Sequence, residues 1–342
     1  MGGKELNIGI PRALSYFDYF PMWQTFFNHL GFKITISSPT TKDILNKGVS
    51  LCVDDACLPV KIFHGHVADL VGKVDAIFVP RLISVSPGEF ICPKFIGLPE
   101  MIKNSIKNLP PLLIFNYNLH KDTEDKKNAF YDLGRQLGLS SRSIEKAYKE
   151  AISRQYIYEV MLESGQNPLA ILHPKEKWDK LDSCKGVIGI IAHSYLVCDR
   201  YISMDIVRKI RNKGYDVRVV GNVSQKKIED NLKAMPKRLF WSYGKKLLGS
   251  GMEWLKGNEV DGIIFLSSFA CGIDSFIEEL IQRFNARKLK LPYAVFTVDE
   301  HSGQAGFDTR LEAFLDMLEW RDKSGYNFSS HGQDVYSGKS SF

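Results

Sequence analysis

The sequence predicts an α/β protein built as two Rossmann-like parallel-sheet domains with a helical connector. Three observations predict it. Short apolar runs alternate with helical stretches up to residue 120, and the same alternation restarts after residue 181. The stretch between them is charged and helically spaced. Strands that alternate with helices pair in parallel and are covered on both faces, so their runs are apolar throughout. A chain of 342 residues can bury a core for each of two domains.

In the first domain, residues 1–120, residues 6–10 read as a strand ending in Pro11-Arg12. A helix over 16–30 stops at Gly31, and its aromatic run from Tyr16 to Phe27 is mostly core. A strand over 32–37 and a short helix over 41–46, closed by Lys47-Gly48, follow. Pro59 suits the first turn of a helix over 59–71. A strand over 74–80, a helix over 99–108 and a strand over 112–116 complete the domain.

Residues 121–180 form the connector. Ile144, Ala147, Tyr148, Ala151 and Ile152 make one apolar helical stripe, and Gly165 ends it. The segment reads as a connector or lid rather than a catalytic unit. The second domain, residues 181–323, begins with a strand over 186–192 and a helix over 204–213. Next come a strand over 215–220, helices over 226–234 and 240–255, and a very apolar strand over 261–267. A helix over 274–284, a strand over 293–298 and a helix over 309–321 close it. Residues 324–342 are Ser/Gly-rich and read as a flexible tail.

Composition narrows the function classes. The net charge of +6 is spread along the chain, which argues against nucleic acid and leaves room for an anionic ligand such as a CoA phosphate. No apolar run reaches the roughly 18–20 residues of a membrane span. No signal peptide is visible, so a cytoplasmic location is expected, where six cysteines stay reduced.

Three of those cysteines stand where a helix opens: Cys57 before Leu58-Pro59, Cys92 before Pro93-Lys94, and Cys271 before Gly272. Loops at the carboxyl ends of parallel strands line the functional crevice, so these three are expected to converge in the interdomain cleft. Thiolates gathered from distant parts of a chain suggest an iron–sulfur cluster more than a disulfide. Free N–H groups at helix N-termini favour such an anion. Cys198 also follows a strand, and Cys52 lies close before Cys57, so both are candidate neighbours or ligands. Cys184 precedes its strand and should lie at the opposite end. Zinc held by three cysteines and a histidine is the alternative, although no Cys-x-x-Cys pair occurs.

Lys61 and His64 would share the helical face of Cys57, there to stabilise added electron density or orient an anionic substrate. His64 and His66, two apart, should point to different sides. Arg12, after the first strand, suits a phosphate or carboxylate, or an ordinary ion pair. Glu300 and His301, in Asp299-Glu300-His301, end a strand at the cleft edge. They are candidate acid/base residues or outer partners of a cluster, with a strand-end turn as the plainer alternative.

These residues resemble the acyl-CoA dehydratase activase-related proteins, relatives of the 2-hydroxyglutaryl-CoA dehydratase system of anaerobes. The likeness runs from Gly9-Ile10-Pro11-Arg12 to Arg310-Leu311-Glu312-Ala313-Phe314. Its most specific pieces are residues 52–61, His64-Gly65-His66, Ile91-Cys92-Pro93-Lys94, residues 266–274 and Asp299-Glu300-His301. Residues 205–214, after Ala192-His193-Ser194-Tyr195, belong to the same pattern.

The resemblance implies an oxygen-sensitive [4Fe-4S] protein held by Cys57, Cys92 and Cys271, with one iron open. It implies an electron supplied by a separate ATP-dependent activase or reductase, since this chain has no Gly-rich phosphate motif. A second dehydratase-like subunit, or a second copy in a homodimer, and an acyl-CoA are the other implied partners. Radical dehydration of a 2-hydroxyacyl-CoA is the implied chemistry if the chain is an enzyme, and cluster-borne electron transfer for a complex if it is not. A double-cubane cluster in a small-molecule reductase, as in some relatives, ranks lower because Cys184 is misplaced. Ile96 stands where many relatives carry a second cysteine.

Overall fold

The computed structural model of the chain describes residues 6–122, 125–176, 181, 183–233, 235–288 and 291–324. The first half contains β1 (Asn7–Ile10), α1 (Tyr16–His29), β2 (Lys33–Ile36), α2 (Lys42–Leu51), α3 (Leu58–Leu70) and β3 (Ala76–Ser84). It continues with α4 (Pro93–Ile96), α5 (Leu98–Ser105), β4 (Leu112–Asn118), α6 (Asp125–Gln136), α7 (Ser141–Glu163) and α8 (Pro168–Leu172). The second half contains β5 (Gly186–Ile191), α9 (Ser194–Val197), α10 (Ile206–Asn212), β6 (Tyr215–Val219), α11 (Gln225–Leu232) and α12 (Ser242–Lys256). It ends with β7 (Gly262–Ser268), α13 (Gly272–Lys288), β8 (Tyr293–Val298) and α14 (Gln304–Ser324).

The two sheets are all-parallel and share one plan. Their orders are β2-β1-β3-β4 and β6-β5-β7-β8. In each, the chain steps outward to one side and then returns past its first strand. The crevice where that direction reverses lies between β1 and β3 in the first sheet and between β5 and β7 in the second. Ligands of open α/β sheets bind there, beyond the carboxyl ends of the strands. The central strand β7 is buried at every position, as a strand covered on both faces must be.

Several boundaries differ from the sequence reading, and each difference has an identifiable physical cause. Helix α2 does not stop at Lys47-Gly48 but runs to Leu51. Gly48 and Gly65 are the points where α2 and α3 touch backbone to backbone. A Cβ on Gly48 would lie 2.0 Å from the Lys61 carbonyl oxygen, and one on Gly65 2.0 Å from that of Ile44. Strand β3 continues past Pro80, because residues 81–84 pair with the end of β4. Helix α10 starts at Ile206, since Met204 and Asp205 both take left-handed φ angles. Helix α12 starts at Ser242 because the chain before it is used elsewhere. Phe90 and Trp241 form a parallel bridge, with Phe90 N–H donating to Phe240 O and Ser242 N–H to Phe90 O, both at 3.0 Å.

That bridge ties the halves together beside other cross-links. The Asp18 carboxylate accepts from Ser194 Oγ (2.8 Å) and Tyr243 Oη (3.2 Å). Thr40 donates to Asp199. One core cluster contains residues of both sheets, and a second lies under β7, α12 and α13. The helices of residues 121–180 are built into this body: Tyr158 Oη on α7 donates to Phe17 O (2.7 Å), and Phe130 on α6 stacks edge-on against Phe26 and Phe115. Among the described residues no helix is long and apolar enough to cross a membrane. Residues 325–342, nearly all of the expected tail, lie outside the described residues.

The α2–α3 crossing generates a stability prediction. Gly65→Ala should lower the urea unfolding free energy by about 1–3 kcal/mol or more, because the helices must separate. Gly303→Ala, where a Cβ meets nothing within 4 Å, should stay within about 0.5 kcal/mol.

Candidate metal centre

Cys57 is the residue before α3, Cys92 the residue before α4, and Cys271 the residue before α13. Proline in the first turns of α3 and α4 lacks the N–H that a helix start leaves unpaired. Ala270 holds a left-handed φ of 64°, which turns the chain from β7 into α13 within a few residues. Such a conformation costs a non-glycine residue about 1–2 kcal/mol.

Two residues from the second sheet's reversal point face each other at this place. His193 follows β5 and Asp274 lies in the first turn of α13, after β7. His193 Nε2–H donates to Asp274 Oδ1 at 2.7 Å, a proton position assigned from the partner. The side chains are 7% and 1% exposed. The His193 ring stacks on Tyr195 with centroids 4.8 Å apart. Donor atoms of His193, Cys271 and Asp274 all lie within 4.8 Å of one another. Asp274 Oδ2 is buried and has no hydrogen-bond partner among the described residues.

The three thiols belong to one electrostatic neighbourhood. Burial pushes Cys57 up first; Lys94 and the Val60 N–H pull it down, and Cys92 and Asp274 push it up again. Cys92 is raised by burial and Asp274 against the N–H and charge of Lys94. Cys271 is raised furthest, by burial, then by Asp274 and Cys57, against the Asp274 N–H. The Asp274 carboxylate disfavours ionisation of all three thiols, and the thiols of Cys92 and Cys57 do the same to Cys57 and Cys271 in turn. A cation bound among them would reverse the sign of that interaction, because a metal ion displaces the thiol proton.

The remaining sequence-predicted residues divide. Lys61 is buried and pairs across the cleft with Glu300, on the turn after β8. Burial pushes the Glu300 carboxyl up, but the hydrogen bond and charge of Lys61 outweigh it and hold the carboxyl below its usual range. His64 Nδ1–H donates to Val60 O (2.8 Å) within its own helix, and burial lowers its pKa, so it stays neutral. His66 contacts Ser37 and Thr40, both at 2.9 Å, and burial lowers its pKa to about 3. The two histidines therefore have separate partners, as their spacing requires.

Arg12 grips Glu176 with both arms, at 2.9 and 2.7 Å, so its fork is occupied by a carboxylate of the chain itself. His301 is exposed, with its N–H on Asp299 Oδ1. Cys52 ends α2, and its charged influences are Lys61 and Lys94. Cys198 is fully buried after α9, raised by burial and by Asp18 and Asp199 rather than by another thiol. Cys184 is exposed at the amino end of β5, opposite the end that carries His193. Sequence reasoning gave no role to His193 or Asp274. Their signal was positional: His193 lies just after the central strand β5, and Asp274 in the first turn of the helix that follows the other central strand, β7.

A cavity of about 530 Å³ lies against this group, walled by Phe17, Asp18, Gln155, His193, Cys198 and Tyr243 among others. Gln155 Oε1 and Ser242 Oγ on its wall are buried and have no hydrogen-bond partner among the described residues. His193 thus joins the cavity to the Asp274–Cys271 pair.

The family described as CoA enzyme activase uncharacterised domain (DUF2229) matches residues 7–223, more than half of the chain. That span holds Cys57, Cys92 and His193, whereas Cys271, Asp274 and Glu300 lie beyond it. No curated protein matches the chain. A solved structure from Bacillus subtilis, provisionally assigned as a phosphosugar isomerase, is 11% identical over 96% of this chain and 92% of its own, with a TM-score of 0.22. A periplasmic solute-binding protein of an ABC transporter from Actinobacillus succinogenes, with bound D-allose, is 13% identical over 93% and 92%, with a TM-score of 0.20. At these scores neither carries an argument about fold or ligand.

The Lys61–Glu300 pair predicts a pH dependence. Glu300 has a lowered pKa when folded, so its stabilisation is complete above the unfolded value of about 4.3 and is lost as pH falls through the lower folded value. Glu300→Gln should cost about 1–3 kcal/mol in urea unfolding at pH 7. The gap between variant and wild type should close as the pH is taken down toward 3.

Proposed function

Because the chain belongs to the family described as CoA enzyme activase uncharacterised domain, we propose that it is a [4Fe-4S] protein of the acyl-CoA dehydratase type. In this reading it accepts an electron from a separate ATP-dependent activase, in the cytoplasm. The observation that carries the reading is that Cys57, Cys92 and Cys271, from three distant helix starts, all feel the charge of one buried carboxylate, Asp274. The donor set fits the group: three sulfur ligands, helix N–H groups facing them, and Lys94 close enough to lower two of the thiols. When bound, a cubane cluster supplies one-electron chemistry, and the iron that no cysteine holds supplies a position for a further ligand.

The chain's own residues have definable roles here. Cys57, Cys92 and Cys271 hold the cluster, and Lys94 brings positive charge to two of these thiols, while Lys61 is committed to Glu300. The cavity beside His193 receives the small molecule to be reduced or dehydrated, an acyl-CoA in the dehydratase reading, with Tyr243 and His193 at its inner wall. The Lys61–Glu300 contact joins α3 of the first half to the turn after β8 of the second, and a partner subunit or the activase would supply the electron from outside the chain. A second reading, a mixed-donor zinc centre, has in its favour the mutual approach of His193, Cys271 and Asp274.

Anaerobic purification with iron, sulfide and zinc analysis separates these readings. The cluster reading expects iron and sulfide in equal amounts with broad absorption near ~400 nm. Cys57→Ser, Cys92→Ser and Cys271→Ser should each lose most of that absorption, and Cys184→Ser should keep it. Full iron in Cys271→Ser would refute the ligand set, and stoichiometric zinc without sulfide would select the second reading. Turnover on addition of an activase, ATP and 2-hydroxyacyl-CoA compounds identifies an enzyme; reduction of the cluster without turnover identifies an electron-carrying subunit.

A further inference from the structure

We propose that Asp274 is the fourth protein ligand of this centre: Oδ2 binds the iron that no cysteine holds, while His193 fixes Oδ1. The inference rests on the cluster reading above and adds a ligand that reading leaves open. Four observations meet at this side chain. It is almost fully buried, at 1% exposure. One oxygen is committed to His193 at 2.7 Å. The other oxygen has no hydrogen-bond partner by distance and angle among the described residues, and the one group among them that bears on the carboxylate as a hydrogen-bond donor besides His193 is the Cys271 thiol, whose proton a metal would replace. And the carboxylate stands within reach of the Cys271 sulfur and inside the field of Cys57 and Cys92.

The local geometry suits the role. Asp274 lies three residues after Cys271 in the first turn of α13, so one helix start presents a sulfur and an oxygen to the same point. A histidine that holds the far oxygen of a ligating carboxylate fixes its orientation, the arrangement common around protein metal sites. A hard oxygen donor among soft sulfurs is the ligand most readily exchanged. The structure therefore assigns Asp274 as the group that an anionic substrate, entering from the cavity past His193, would displace.

A purely structural Asp274, present only to hold His193, makes the opposite forecast, and two variants separate them. Asp274→Asn keeps an acceptor for His193 but loses the anionic ligand. Asp274→Cys keeps a ligand but loses the acceptor. After anaerobic reconstitution with iron and sulfide, wild type and Asp274→Cys should hold about four irons per chain. Asp274→Asn should fall to about three and show the EPR signal of an oxidised three-iron cluster. On mild oxidation Asp274→Cys should lose that iron at least tenfold more slowly than wild type.

Asp274→Asn matching wild type while Asp274→Cys loses iron would overturn the assignment. Wild type protein needs no variant for a second check: labelled with 13C-aspartate and reduced, it should show 13C coupling to the cluster in pulsed ENDOR. A cluster present without that coupling overturns the Asp274 assignment alone. Wild type that takes up no iron and sulfide overturns both it and the cluster reading.

Discussion

The buried Glu89 carboxylate fixes how the two sheets meet. It is 2% exposed and lies on the loop after β3, yet its cations come from the other half of the chain: Lys245 at 2.5 Å and Arg238 at 3.3 Å. A carboxylate taken out of water costs several kcal/mol unless it is paired. An arrangement of the halves that took α12 off this loop would leave Glu89 buried without its cations. The adjacent Phe90–Trp241 bridge adds backbone hydrogen bonds with the direction of a strand pair. Cys92 lies two residues beyond Phe90. The contact that docks the halves is thus also the contact that carries Cys92 toward the second sheet.

From this arrangement the electrostatics of the cleft follow. Acidic groups collect where the carboxyl ends of β3, β5 and β7 meet: three thiols and Asp274, with His193 and Tyr195 packed beside them. Burial raises all three thiols, and the Asp274 carboxylate raises each of them further. Lys61 answers Glu300 across the cleft, and Lys94 answers the thiols. Arg12 is drawn away from the centre, since Glu176 takes its whole guanidinium. Such a site is electrostatically poor at holding anything negative by itself. The backbone N–H groups of Val60, Lys94 and Asp274 and the charge of Lys94 are what offset the acidity of the three thiols.

Periodicity and turn chemistry carried most of the fold. β8 lies where its apolar run ends, and α1 stops where Gly31 marks it. Two of the misplaced boundaries had nonlocal causes. Gly48 looks like a helix stop, but its partner is the Lys61 carbonyl on another helix. Phe240 and Trp241 look helical, but Phe90 recruits them as a strand. Met204 and Asp205 look like the start of a helix, yet both are turned left-handed before it begins. No local window contains the partners of Gly48 or of Phe240 and Trp241, and the turn at Met204 and Asp205, though local, uses residue types that rarely turn left-handed.

The same division runs through the site. The sequence by itself determined the alternating α/β plan and the placing of three cysteines at helix starts. Both are local properties, written in the order of apolar runs and in the proline or glycine that follows each thiol. Tertiary structure decided what those cysteines face. It brought Cys57 and Cys92 from one sheet to Cys271 from the other, gave Lys61 to Glu300, and set His193 on Asp274 across the reversal point of the second sheet. Those pairings depend on the angle at which two separately coherent sheets dock. That angle is set by a few buried charges, such as Glu89 with Lys245, whose partners lie more than a hundred residues apart in sequence.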